Sequence, residues 1–262
     1  RAKLDCAYYE RRGVDYELLD SAALAQQEPA LRKGLAGGVL IRSAAHTLSP
    51  LALSQKLFAL FIAQGGEFRQ EEVTGFVSEG GRVRAVRSAT ELPCREVFVT
   101  AGAYSGALSK QLGSAVPLDT ERGYHLHCAA PGVTLVRPLL FGGRAFAATS
   151  MQDGLRLAGT VEFAGLKAPP SQRRAQVLGE QARDLFPGLN TEQGKPWMGY
   201  RPSMPDTVPV ISASPHYANV YFGFGHGHLG LTQGAVTGAL LALLADAKPL
   251  PLDLGPYRID RF

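Results

Sequence analysis

Residues 219–232 read NVYFGFGHGHLGLT, and the reading of this run decides the fold class. Val220–Phe224 is short, apolar and aromatic, as a buried strand is. From Leu231 to Ala245 apolar residues continue without a proline, as in a helix. Between them Gly225, Gly227 and Gly230 spell a formal GxGxxG. A Rossmann unit would need a further strand carrying an acidic residue about 20 residues on. Here the helix fills that interval and Pro-rich coil follows, so that reading fails. Glycines still let a backbone approach a flat ligand closely, and the N-terminus of the next helix offers N–H groups with a partial positive charge. A helix cap or glycine for packing are the alternatives. Two Gly–His pairs at one helix entry favour ligand contact.

Working outward, the pattern strand, glycine, helix occurs once more. Glu96–Ala101, centred on Val97-Phe98-Val99, ends in Gly102, and Tyr104–Leu112 reads as helix. Such a succession is typical of an α/β nucleotide-binding core. Between and around these parts the period changes. Residues 1–33 read as helical, with Leu18, Leu19, Ala22 and Leu24, and Ser21 opens a second helix that Pro29 interrupts. A β segment at Gly38–Ile41 precedes a polar loop holding His46. Ser49-Pro50 then opens a helix with Leu51, Leu53, Leu57, Phe58 and Phe61 on one side, stopped by Gly65-Gly66. Glu72–Val77 and Arg82–Arg87 flank Glu79-Gly80-Gly81, a hairpin signal. Residues 116–165 look like antiparallel strands, Gln172–Leu185 is a helix, and 190–209 reads as loop. The fold class expected is mixed α/β, an α/β core interwoven with a mostly antiparallel domain.

Composition excludes several classes. Among 262 residues, 45% are hydrophobic and 19% charged, which suits a globular chain rather than a disordered one. The net charge of +4 is spread over scattered lysines and arginines, whereas a nucleic-acid binder clusters them. Cys6, Cys94 and Cys128 are odd in number and far apart, which argues against disulfides or zinc and suits a reducing compartment. The histidines lack carboxylate or cysteine partners at ligand spacing, so no metal is expected. The most apolar stretch, around Leu240–Ala245, reads as a buried helix too short to span a bilayer. The chain begins at Arg1 in what reads as mid-domain sequence, as an excised piece would.

Four stretches, in order, resemble the FAD-dependent D-amino-acid oxidase and dehydrogenase superfamily. They are Val97–Ser105, like its apolar strand and AGAW-type turn; Pro117–Tyr124, like its P-x-x-x-x-R-G-Y; Trp197–Asp206 through Pro209-Val-Ile211, like its W-x-G-x-R-P…D-x-x-P-x-I; and the Gly/His turn. Arg156–Gly165 adds a likeness to the bacterial D-amino-acid dehydrogenase branch.

The resemblance implies FAD as cofactor and a small D-amino acid as substrate, deaminated to a 2-oxo acid and ammonia, with a quinone or respiratory-chain acceptor. It implies Arg201 as the fork for the substrate carboxylate, with Tyr124 and His46 near the reacting groups. Structural roles (an ion pair for Arg201, a half-buried strand position for Tyr124) stand as alternatives. Cofactor contacts carry over to Val73, Ala101, Gly102, Gly199, Gly225, His226, Gly227, His228, Leu229, Gly230, Leu231 and Thr232. Residues 1–45 and 116–195 would form the substrate domain, and 46–115 and 196–262 the FAD domain. The family's first strand and GxGxxG are not in this sequence, so the sheet would lack its central strand and present an edge that needs covering. A partner chain or a homo-oligomer could supply that cover. The alternative function is an inactive fragment or binding subunit of this fold; within the enzyme class it is a glycine-, sarcosine- or D-proline-type amine oxidoreductase. The expected location is cytoplasmic, or peripheral on the inner face of the membrane.

Overall fold

A computed structural model describes residues 2–262, with side chains from Cys6 onward. Helix α1 (Ala2–Arg11) is followed by strand β1 (Tyr16–Asp20), which corrects the helical expectation for residues 1–33. Adjacent Leu18 and Leu19 fit either period; in the strand Leu19 is buried and Leu18 is exposed. Helix α2 (Ser21–Gln27) starts where expected, and its cap is Asp20, whose carboxylate accepts the Ala23 N–H at 2.8 Å. Strand β2 (Gly37–Ile41) pairs antiparallel with β1, Leu19 opposite Gly38.

Helix α3 (Pro50–Ala63) begins as the Ser-Pro pair dictates, with Ser49 Oγ accepting the Ala52 N–H at 3.1 Å. None of its residues is buried, although six of its 14 are leucine or phenylalanine. Apolar residues lie all round it, so the single inward face expected from Leu51 to Phe61 does not exist. Strands β3 (Gly75–Glu79) and β4 (Arg82–Arg87) form the expected hairpin; Gly80 and Gly81 have φ of +57° and +71°, as its tight turn requires. Strand β5 (Glu91–Pro93) adds to β4.

Strand β6 (Val97–Val99) leads through a 3-10 turn into α4 (Ser105–Gln111). The antiparallel region comprises β7 (Asp119–Cys128), β8 (Leu139–Phe141), β9 (Phe146–Met151) and β10 (Gly154–Phe163). Helix α5 (Gln172–Leu185) falls where the sequence places it. The expected loop at 190–209 instead holds β11 (Lys195–Ser203), hidden in sequence because Pro196, Gly199 and Pro202 break its alternation. Then come β12 (Val210–Ala213), β13 (Val220–Phe224), a 3-10 turn and α6 (Gly230–Ala245). The sheets have orders β1-β2, β11-β7-β10-β9-β8, β12-β13-β6 and β3-β4-β5.

Contacts divide the chain into two compact units. The first takes residues up to Leu57, Gly123–Val161 and Pro169–Met198. Its core sets Leu126, Phe146, Leu155 and Leu157 of the sheet against Leu178, Ala182 and Leu185 of α5. The second takes Phe58–Arg122, Glu162–Ala168 and Gly199–Phe262. Here β13 is buried along its whole length: Val220, Phe222 and Phe224 meet Val97, Val99 and Leu112, and Tyr221 joins Ile211, Leu240 and Leu241. Asn219 staples this core. Its amide donates to the carbonyls of Val83 and Arg95 and its Oδ1 accepts the Val83 N–H, all within 2.9 Å.

Helix α6 corrects a further expectation. Only Thr237, Leu240 and Leu241 are buried in it. With its 3-10 lead it spans 19 residues of mean hydropathy 1.4, long and apolar enough to cross a membrane by length and composition alone. The three thiols are free, and no metal-binding group of three or more ligands occurs among the described residues.

Candidate functional site

In the second unit β6 and β13 run parallel as neighbours, Val97 opposite Val220. Both strands therefore end at one sheet edge, and each leads through a glycine turn to a helix. A crevice outside the carboxyl ends of parallel strands is where open α/β sheets take ligands. Ala101 is exposed in the first turn, and Gly102 there has φ +56°. A Cβ on Gly102 would meet nothing within 4 Å, so conformation rather than space demands glycine. In the second turn Gly225 has φ +83°, and a Cβ there would also come within 2.7 Å of Met204 Cγ.

His226 follows, half-buried, its Nε2 2.8 Å from Thr237 Oγ1. Burial lowers its pKa from the ordinary imidazole value, so the ring is neutral at pH 7. Gly227 and Gly230 are partly covered, while His228, Leu229, Leu231 and Thr232 are exposed. No side chain caps α6, which leaves its first N–H groups for a ligand or water. Val73 lies exposed in the coil before β3.

A bridge between Ser203 and His226 ties the end of β11 to this turn. Two positions before Ser203 on that strand is Arg201, with Gly199 a further two back; all three are half-buried. Arg201 has no ion-pair partner among the described residues, and its Nη1 is buried without a hydrogen bond. Burial pulls its pKa below the usual guanidinium value, opposed by the charge of Glu121. Glu121 Oε2 lies 2.9 Å from His228 Nε2. That hydrogen bond holds the carboxyl below the ordinary range, with further help from the charge of Arg201. The structure thus brings Arg201 and the Gly225–Thr232 turn together, and adds Glu121 and Ser203, which sequence reasoning did not single out. Glu121 stands inside the Pro117–Tyr124 segment, but its partner is 107 residues away and leaves no local signal.

Tyr124 and His46 belong to the first unit. Along β7 burial alternates, so Arg122 and Tyr124 face the opposite side from Glu121 and His125. Tyr124 is 2% exposed and its hydroxyl accepts the Ser171 N–H at 3.1 Å, just before α5. His46 is exposed at the rim of a cleft of about 1070 Å³ between β2 and Pro138–Gly143. His125 stacks on Trp197, ring centroids 4.7 Å apart. Its pKa is lowered to about 4 by burial first, then by Arg156 and His127.

A model of the FAD dependent oxidoreductase family, DAO, matches residues 1–244. The chain belongs to the FAD-dependent oxidoreductase family. It is 34% identical over 255 residues to a D-amino-acid oxidase of Bradyrhizobium diazoefficiens, covering 95% of this chain and 61% of that protein. It is 34% identical over 257 residues to a D-amino acid dehydrogenase of Methylobacterium nodulans, covering 93% and 60%. The chain therefore spans about three fifths of the length of these relatives. Glycine oxidase from Geobacillus kaustophilus has the same fold, with a TM-score of 0.84 over 98% of this chain and 70% of that one at 20% identity. These matches bear out the mixed α/β class and the family that the sequence resembles. The family's cofactor is FAD, and the residues present fit its approach: two positive-φ glycine turns where the parallel strands end, Gly102 open to a ligand, a helix start without a side-chain cap, and buried polar atoms of Arg201 and Gln233 without hydrogen-bond partners.

Proposed function

We propose that this chain carries the substrate-facing part of an FAD-dependent enzyme that oxidatively deaminates D-amino acids. The observation that carries this reading is Arg201. A half-buried guanidinium with no hydrogen-bonded counter-ion among the described residues, and only the nearby charge of Glu121 to offset it, is costly to keep, and the fork geometry suits a carboxylate. FAD, when bound, supplies the two-electron acceptor that takes hydride from the substrate Cα. Ala101, Gly102, Val73 and Gly225–Thr232 are the residues that would hold it. Arg201 fixes the carboxylate and so sets the presentation of the Cα–H; the protein's share is orientation and electrostatics. The α6 N-terminus favours negative charge near its first turn, and the neutral His226 adds no competing charge. Water then hydrolyses the released imino acid to a 2-oxo acid and ammonia.

The test is the visible absorption spectrum of the purified protein before and after adding FAD. Flavin bands that bleach anaerobically with D-alanine, but not with L-alanine, are the expected result. A folded protein that binds no FAD would sink the reading for this chain and favour a non-catalytic relative. Bleaching by glycine, sarcosine or D-proline alone would move the substrate class.

A further inference from the structure

We infer that His228 is the base that takes the proton from the substrate ammonium and that Glu121 is its positioning residue, resting on the reading of Arg201 as the carboxylate site. An amino acid must present a neutral amine before hydride can leave its Cα, so a proton has to go somewhere. The groups on the page are suited to receive it. Glu121 Oε2 and His228 Nε2 are 2.9 Å apart. An ionised carboxylate can only accept a hydrogen bond, so the shared proton resides on Nε2 and the lone pair is on Nδ1. Glu121 is largely covered while His228 is 60% exposed, so the carboxylate is the fixed member and the ring is the one open to ligand and solvent.

The other charged group near this carboxylate is Arg201, on β11; His226, on the same turn as His228, is neutral. An α-amino acid carries ammonium and carboxylate on one carbon. Placing the carboxylate on Arg201 therefore places the ammonium beside the Glu121–His228 pair. In the step, one ammonium N–H bond breaks and its electron pair stays on nitrogen. The proton bonds to His228 Nδ1, Glu121 balances the imidazolium charge, and the exposed ring returns the proton to water. This is the carboxylate–histidine division of labour of acyl-transfer enzymes, applied to an amine.

Two measurements test it. The first needs no turnover: ¹⁵N NMR of the imidazoles should show His228 as the Nε2–H tautomer, and E121A should release it to a mixture. A wild-type Nδ1–H ring, or a tautomer indifferent to E121A, overturns the assignment. The second uses the FAD-loaded enzyme. H228Q should lower kcat/KM for D-alanine at pH 7 about 100-fold, and E121Q should lower it less. H228Q should regain most of its loss with 3,3,3-trifluoro-D-alanine, whose amine is already neutral. Equal losses on both substrates would mean His228 is not the base. Propionate affinity, with and without R201Q, reads the Arg201 site separately. If it is unchanged by R201Q while the tautomer is locked as described, the carboxylate site has failed and the base assignment falls with it, for that identifiable reason.

Discussion

Replacing Arg201 with glutamine tests the reading where it is most exposed. In the structure Nη1 is buried and without a hydrogen bond, and no carboxylate pairs with the group among the described residues. A bound carboxylate would gain two parallel charge-assisted bonds, each contributing about 1.5–3 kcal/mol. Their loss, about 3–6 kcal/mol, corresponds to roughly 10²- to 10⁴-fold weaker propionate binding at about 1.4 kcal/mol per tenfold. Lysine keeps the charge but not the fork, so R201K should fall between, about 10- to 100-fold weaker. The stability effect should have the opposite sign. Removing a half-buried unpaired charge should leave Tm unchanged or raise it by about 2–4 °C, equivalent to about 1 kcal/mol for a chain of this size. The assay is a propionate titration followed by ligand-induced change in Tm or by calorimetry, with a thermal melt of each apo variant. Propionate affinity retained within threefold in R201Q would refute the argument. So would a loss of several kcal/mol in stability, since that would make Arg201 a structural residue.

Three further outcomes are expected. His125 has its folded pKa lowered to about 4 from an unfolded value near 6.5, so the unfolded chain binds more protons between these values. Its stabilising share is complete above about pH 6.5 and declines as pH falls toward about 4; denaturant melts across that window should show the slope, and H125Q should flatten it. Gly225→Ala combines a positive φ with a 2.7 Å approach to Met204, whereas Gly102→Ala carries only the positive φ. Urea melts should show G225A costing about 2–4 kcal/mol and G102A about 1 kcal/mol. Asn219→Ala removes the buried partner of the Val83 carbonyl and N–H and should cost about 2–3 kcal/mol in the same melts; a loss below about 1 kcal/mol would mean water replaces the amide.

The elements that were legible in sequence share a local cause. Ser49-Pro50 before α3, Gly80-Gly81 between β3 and β4, and the proline-free, mostly apolar run of α6 each specify backbone geometry within a few residues. Elements that escaped depend on distant partners. β11 is a strand because it pairs with β7, while its own prolines and glycine argue against it. β1 is held by β2, across the helix that separates them. The site divides in the same way. The glycine turns are visible because positive φ demands glycine locally. Glu121 is one acidic residue among many until the fold carries it to His228. Tyr124 illustrates the reverse: its motif was legible, but only the alternation of β7 shows that its phenol meets Ser171.

Each unit is assembled from three separated stretches of chain, and this governs the order of synthesis. A ribosome adding roughly 5–20 residues per second delivers the first stretch of one unit, then about half of the other, before returning to finish either. The first unit waits for Met198, and the second waits still longer for β13, the strand that fills its centre. During that interval β6 has emerged without β13, the strand beside which it pairs. Nascent chains of this protein should therefore be clients of a holding chaperone, and stalled intermediates ending before about residue 220 should be captured by one far more readily than the released chain.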